Sequence, residues 1–309
     1  MNSFLKRSIT AVVVLTALAS VESHAQKSDV RSRILVSTSW LAEHINDKNL
    51  VLLQVGDKSE YDREHLPGAR FVTLDDISVS DHEKPGGLTL QMPSSPDLRE
   101  KLARLGISDN SRVIVYYGND WVTPSTRVMF TLDYAGLGNQ SSLLDGGMQK
   151  WKREGRALTA AAAPGSQGQL SPLKINPIVV DANYVKSNVG KSGISVVDGR
   201  SSVFYDGVQT GGGMRGAKHK TGHVAGARSV PYTEITGDDL IFKTPAELEA
   251  IFTKAGVKPG DTVIGYCHIG QQATGMLFAA RSLGHKVLLY DGSFEDWSAR
   301  DLPVETTHN

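Results

Sequence analysis

The stretch VIGYCHIGQQATGMLFAA, Val263 to Ala280, decides how the rest of the chain is read. Val263 to Tyr266 is a short apolar run that predicts a strand. Cys267, His268, Ile269, Gly270, Gln271 and Gln272 form a turn. From about Ala273 the residues are good helix formers with few polar side chains. A strand, a short loop and a helix N-terminus together aim backbone N–H groups at one spot. Cys267, the one cysteine of the protein, opens that loop. A lone cysteine is usually inert packing. This one leaves a strand end, where sites form in α/β sheets, and Gly270 lets the backbone wrap closely around it. The N–H groups and the positive helix end favour the thiolate, the form that acts as a nucleophile.

Working outward, the segments before and after this stretch occur twice. STSWLAEHI (Ser37 to Ile45) and the strand LVLLQV (Leu50 to Val55) answer to DANYVKSNV (Asp181 to Val189) and ISVVD (Ile194 to Asp198). Gly56-Asp57 with Tyr61 answers to Gly199-Arg200 with Tyr205. EHLPGARFV (Glu64 to Val72) matches GHVAGARSV (Gly222 to Val230). The helices LREKLARLGI (Leu98 to Ile107) and PAELEAIFTKAGV (Pro245 to Val257) precede VIVYY (Val113 to Tyr117) and VIGYC (Val263 to Cys267). LLDGGMQKW (Leu143 to Trp151) matches LYDGSFEDW (Leu289 to Trp297). Alternating strands and helices, with continuously apolar strands, predict an α/β protein. Each half is a mostly parallel sheet with helices on both faces. The domains are expected at 36–158 and 178–307, joined by an Ala-, Pro-, Gly- and Ser-rich linker at 159–175. The second half alone carries GGGMRGAKHK (Gly211 to Lys220), which reads as a mobile, basic loop. His65 and His223 occur in both halves and read as turn residues. Trp151 and Trp297 read as core.

The chain has 309 residues, 40% of them hydrophobic and 21% charged, with formal net charge zero. Two globular domains fit that length. The charge gives no support for a nucleic-acid partner. Residues 1–25 read as a secretory signal peptide. Lys6 and Arg7 are followed by the apolar run Ser8 to Ala19 and by Ser23-His24-Ala25, with Gln26 the first mature residue. The run is too short for a stable span. After cleavage no membrane association is expected, and the protein is expected to be exported, to the periplasm if the host is Gram-negative.

With these residues in hand, the chain resembles the tandem-domain rhodanese-type sulfurtransferases, which act on thiosulfate or 3-mercaptopyruvate. The marks are the strand-Cys-loop-helix at Tyr266 to Ala273, the His-x-x-Gly-Ala turns at His65 and His223, and the Asp-Gly-x-x-x-x-Trp endings at Asp145 and Asp291. The resemblance implies two rhodanese-like domains, the first non-catalytic because Tyr117 stands where Cys267 stands. It implies a persulfide on Cys267, formed from an anionic donor and passed to cyanide, a small thiol or a thiol protein. Arg200 and residues His268, Ile269, Gly270, Gln271, Gln272 and Ala273 would bind the donor. The loop would act mainly through backbone N–H groups. No metal or organic cofactor is implied. Two departures stand out. His268 and Ile269 replace the Arg-Lys pair typical of thiosulfate enzymes, and Val55 and Asp57 replace in the first half the Asp198 and Arg200 of the second. Three other readings compete. A phosphatase of the same fold needs an arginine closing the loop, and none follows before Arg281. An exported persulfide carrier or redox sensor would hold sulfur without efficient turnover. An inert binding module would not need Cys267.

Overall fold

A computed structural model describes residues 30–81, 87–118, 121–163, 165–211 and 219–307. The expected leader and residues 212–218 of the Gly-rich insertion lie outside them. In chain order the first half runs β1 (Leu35–Val36), α1 (Thr38–His44), β2 (Leu50–Val55), α2 (Lys58–Arg63), β3 (Ala69–Val72), α3 (Ser95–Arg104), β4 (Arg112–Tyr117), α4 (Thr123–Tyr134), β5 (Ser141–Leu144) and α5 (Gly147–Arg153). The second runs β6 (Val179–Val180), α6 (Ala182–Asn188), β7 (Ile194–Asp198), α7 (Ser202–Tyr205), β8 (His223–Val224), β9 (Arg228–Ser229), α8 (Pro245–Lys254), β10 (Thr262–Tyr266), α9 (Gln272–Ser282), β11 (Val287–Tyr290), α10 (Ser293–Ala299) and β12 (Val304–Glu305).

The strand orders β1-β5-β4-β2-β3 and β6-β11-β10-β7-β9 are the same topology twice, with parallel neighbours throughout. β8 and β12 add a small antiparallel pair. The central strands β4 and β10 are buried along all but their first residue because helices cover both faces of each sheet. Trp151 and Trp297 close the outer cores and donate their indole N–H to Ala157 O and Pro303 O. The two histidines of the repeated turn are struts. His65 Nδ1 meets Tyr61 O and His223 Nδ1 meets Tyr205 O, each ring stacked on that tyrosine.

Helix α3 begins at Ser95, three residues before the apolar pattern suggests. Ser94 caps it at Asp97 N–H, Pro96 sits in the first turn, and Gly106 at φ +84° ends it. The inner faces of both sheets feed one continuous core that crosses the domain boundary. At its centre α4 lies against α9, close enough for the Thr126 and Thr274 hydroxyls to hydrogen-bond at 3.0 Å. Gly275 permits this approach, since a Cβ there would stand 3.1 Å from Thr123 Cγ2 and from Ile235 Cδ1.

The interface is reciprocal. Asp145 of the first domain accepts from Phe242 N–H of the second, and Asp291 of the second accepts from Met92 N–H of the first. Each aspartate opens the Asp-Gly ending of its own repeat. The equivalent residues Leu90 and Leu240 both adopt positive φ; Leu240 offers its carbonyl across the boundary, and Leu90 offers its own within the first domain, to the arginine that reaches across. Tyr117 OH donates to Leu240 O, and Arg127 donates to Leu90 O.

Candidate active site

Cys267 follows the last residue of β10 and is fully buried. Its N–H donates to Ser293 Oγ at 3.3 Å, and its carbonyl accepts from Phe294 N–H at 3.0 Å. His268 O accepts from Glu295 N–H at 3.0 Å. The turn from Asp291 to Glu295 is therefore the floor of the cysteine loop. The first repeat shows what Cys267 makes room for. There Tyr117 occupies the cysteine's place and Gly147 that of Ser293. A Cβ on Gly147 would come within 2.5 Å of the Tyr117 ring. A small thiol in the second repeat admits a serine, and the serine anchors the loop.

Helix α9 receives no side-chain cap at its start. Among the described residues, the backbone N–H groups of His268, Ile269, Gly270, Gln271, Gln272 and Ala273 donate to no protein acceptor. Six adjacent donors at the positive end of an eleven-residue helix make a nest for a negative charge on or beyond Sγ. Gly270 holds φ +81°, and a Cβ there would press on Asp291 O and Arg127 Nη1 at 3.0 and 3.1 Å. Burial keeps water from the thiol and strengthens each dipole aimed at it.

Arg200 is brought beside the loop by strand pairing, because Asp198 is the register partner of Tyr266. Its Nε donates to both Asp198 oxygens at 3.0 Å, its Nη2 to Asp198 Oδ2 at 2.6 Å and to Gly222 O at 2.7 Å. The guanidinium lies 4.1 Å over the Phe294 ring. Burial opposes its charge, but the Asp198 carboxylate outweighs that and raises its pKa. Its Nη1 alone has no acceptor among the described residues. Arg200 is thus a fixed wall of the site with one nitrogen to spare. Gln271 is buried and its Nε2 reaches Thr123 Oγ1 of the first domain at 3.3 Å. Gln272 leaves its Oε1 buried without a partner. Ile269 is half-buried and Ala273 fully buried.

His268 brings no charge. Burial and then Arg200 push its pKa down to about 4, so the ring is neutral near pH 7. It sits edge-on to Phe204 and 5.6 Å from the ring of His219.

Two residues of the site were not legible in the sequence. Arg127, from α4 of the first domain, is fully buried and reaches across the boundary to Gly270 O at 3.0 Å and Asp291 Oδ1 at 2.9 Å. It thereby ties the cysteine loop to its floor. Its one sequence signal is an arginine within the otherwise uncharged TPSTRVMF. The other is His219, at the end of the insertion read as a plain loop. Among the described residues, no three His, Cys, Asp or Glu side chains are placed to hold a metal ion, and no helix is long and apolar enough to cross a membrane.

A two-domain α/β fold with a cysteine at the mouth of an uncapped helix defines a class of sulfur-handling proteins. Residues 37–154 and 181–300 each match the family described as "Rhodanese-like domain", and the chain belongs to that family. It is similar to 3-mercaptopyruvate sulfurtransferase of Escherichia coli K12, 30% identical over 87% of this chain and 97% of that one. It is likewise similar to thiosulfate sulfurtransferase of Rattus norvegicus, 29% identical over 89% of this chain and 94% of that one. The crystal structure of SseA, a 3-mercaptopyruvate sulfurtransferase of Escherichia coli, superposes with a TM-score of 0.72 at 27% identity, covering 85% of this chain and 99% of that one. The protein is a sulfurtransferase with two rhodanese domains.

Proposed function

We propose that the protein carries a sulfane sulfur as a persulfide on Cys267, taken from a donor of thiosulfate or 3-mercaptopyruvate type and passed to a thiol or cyanide. The observation that carries this reading is the set of six N–H groups, from His268 to Ala273, that find no acceptor among the described residues around the one cysteine of the sequence. The Cys267 thiolate attacks the outer sulfur of the donor, and the remainder of the donor leaves with the bond's electron pair. The acceptor then attacks the outer sulfur of the persulfide and regenerates the thiolate. The loop donors stabilise the negative charge that grows on sulfur in both steps. Among the described residues, the spare Nη1 of Arg200 is a cationic donor offered to the substrate beside the loop. The first domain does no chemistry and supplies Arg127, Thr123 and the floor contacts of Asp291. The composition of residues 1–25 supports work after export.

Steady-state turnover tests the reading. Thiosulfate or 3-mercaptopyruvate is supplied with excess cyanide, and thiocyanate is counted per chain. Many thiocyanates per chain are expected. A yield that stops at one per chain would instead make the protein a sulfur carrier.

A further inference from the structure

The insertion that only the second repeat carries is docked onto the active-site loop at both of its described ends. At one end Gly211 packs so closely on His268 that a Cβ would stand 2.3 Å from His268 Cε1. At the other, Lys220 anchors the chain. Its N–H donates to Ser298 Oγ at 3.1 Å, and its ammonium reaches Leu302 O and the Asp301 carboxylate at 2.8 and 2.7 Å. Between these anchors and the loop sits His219, only 6% exposed. Its ring stacks at 24° on His268 and meets Phe294 edge-on at 6.0 Å.

Both ring nitrogens of His219 are closed off from solvent and have no partner among the described residues, and the same holds for Nδ1 of His268. Buried polar atoms are rarely left in that state unless a water or a ligand completes them, and at the mouth of the cysteine loop the substrate is the ligand at hand. Burial first and Arg200 second push the pKa of His219 down to about 4, as they do for His268. Two neutral imidazoles cannot balance a second negative charge. Each offers one N–H donor and one bare nitrogen acceptor. The acceptor nitrogens need a ligand that has a proton to give. Thiosulfate is a dianion with acceptor atoms only, and it would leave them unpaired. The walls, Phe204 and Phe294, are aromatic faces that suit polarisable sulfur.

We propose that His219 is a specificity residue of the sulfur-transfer site, which with His268 selects donors that bear an S–H group and at most one negative charge. This rests on the persulfide reading above. Two sources share that chemistry, a low-molecular-weight hydropersulfide R–S–SH and a 2-oxo-3-thiol acid. With the hydropersulfide, the Cys267 thiolate forms a new S–S bond to the outer sulfur and the donor's own S–S bond breaks. R–S⁻ leaves with that electron pair. The outer sulfur keeps its proton, which an imidazole nitrogen accepts as a hydrogen bond, and no external oxidant or reductant takes part. With the thiol acid, the bond between sulfur and carbon breaks, the thiol proton ends on that carbon, and the 2-oxo acid leaves.

The test compares single-turnover loading from glutathione hydropersulfide, 3-mercaptopyruvate and thiosulfate, read as the rate of sulfur gain in the intact mass at pH 7. The wild type is expected to load faster from an S–H donor than from thiosulfate. His219→Phe, which keeps the stacking and loses both nitrogens, is expected to lower the S–H donor rate about tenfold, the value of one or two neutral hydrogen bonds, and the thiosulfate rate by a distinctly smaller factor. His219→Gln, which keeps a donor and an acceptor, is expected to retain most of the S–H donor rate, and it carries the test should the phenylalanine variant not fold. The donor whose rate falls identifies the source. A wild type that prefers thiosulfate, or a His219→Phe that lowers all three rates equally or none, overturns the role of His219. A wild type that loads from none of the three overturns the persulfide reading itself.

Discussion

Arg127→Met removes a side chain that no water can replace. The arginine is fully buried, and its loss deletes the hydrogen bonds to Gly270 O, Asp291 Oδ1 and Leu90 O. Asp291, only 5% exposed, is left with the Met92 N–H at 2.7 Å as a partner from the first domain. Breaking a buried ion pair by removing one member costs about 3–5 kcal/mol. The surviving N–H places this case toward the lower end, and the two stranded carbonyls add about 1 kcal/mol each. A loss of about 5 kcal/mol lowers Tm by roughly 10 °C for a chain of this size. The loop consequence is separate. Without Arg127, Gly270 is no longer tied to the floor turn, and the N–H groups around Cys267 lose their fixed aim. Misplacement by an ångström costs up to about a hundredfold in rate, so kcat is expected to fall between ten- and a hundredfold. Calorimetry and steady-state thiocyanate formation, both at pH 7, give the two numbers. Arg127→Met/Asp291→Asn is expected to recover part of the stability, because no uncompensated carboxylate remains, and little of the rate. An Arg127→Met protein within about 1 kcal/mol of wild type and with unchanged kcat would refute the reasoning.

Two further outcomes follow from charged groups in the site. Arg200→Gln is expected to destabilise the fold by about 3–5 kcal/mol, since Asp198 is fully buried and loses its forked partner. Urea unfolding checks this, and a variant of wild-type stability with only a raised KM for anionic donors would assign the arginine to substrate instead. His219 and His268 are neutral in the native protein down to about pH 4, but protonate near 6.5 in the unfolded chain. Between those values the unfolded chain binds more protons. The pair's contribution is therefore complete above pH 6.5 and is lost as pH falls toward 4, on the order of a few kcal/mol in all. Arg200 opposes protonation of both rings, and Asp198 is the carboxylate that favours it at His268. Unfolding curves at pH 7, 5.5 and 4.5 are expected to steepen this loss in the wild type relative to His219→Phe/His268→Phe, and parallel curves would contradict it.

The fold was legible because its central strands are buried on both faces and therefore read as unbroken apolar runs. The repeat did the rest, since residues matched in both halves, such as His65 and His223, had to be structural. Strands of two residues, β1, β6, β8, β9 and β12, were not legible. Their pairing is set by neighbouring strands rather than by a pattern of their own. Cys267 and its loop were readable from a strand end followed by a helix start. Arg127 was not, because it acts from the other domain, 140 residues earlier in the chain. Nothing local shows that its charge is spent on Gly270 and Asp291. His219 was hidden in a glycine-rich insertion whose composition signals only a loop. Arg200 was implied by the family resemblance at the Asp-x-Arg position, but the sequence could not show that Asp198 takes up three hydrogen bonds of its guanidinium.

A persulfide on Cys267 adds the mass of one sulfur atom to the chain, so intact mass reads it without an intermediate step. Purified protein is incubated with thiosulfate or an S–H donor, weighed, treated with cyanide and weighed again. A gain of one sulfur atom is expected, with its removal by cyanide as thiocyanate is released, and no gain in a folded Cys267→Ser protein. A Cys267→Ser protein that still gains the sulfur, or a wild type that gains none from any of these donors, would contradict it.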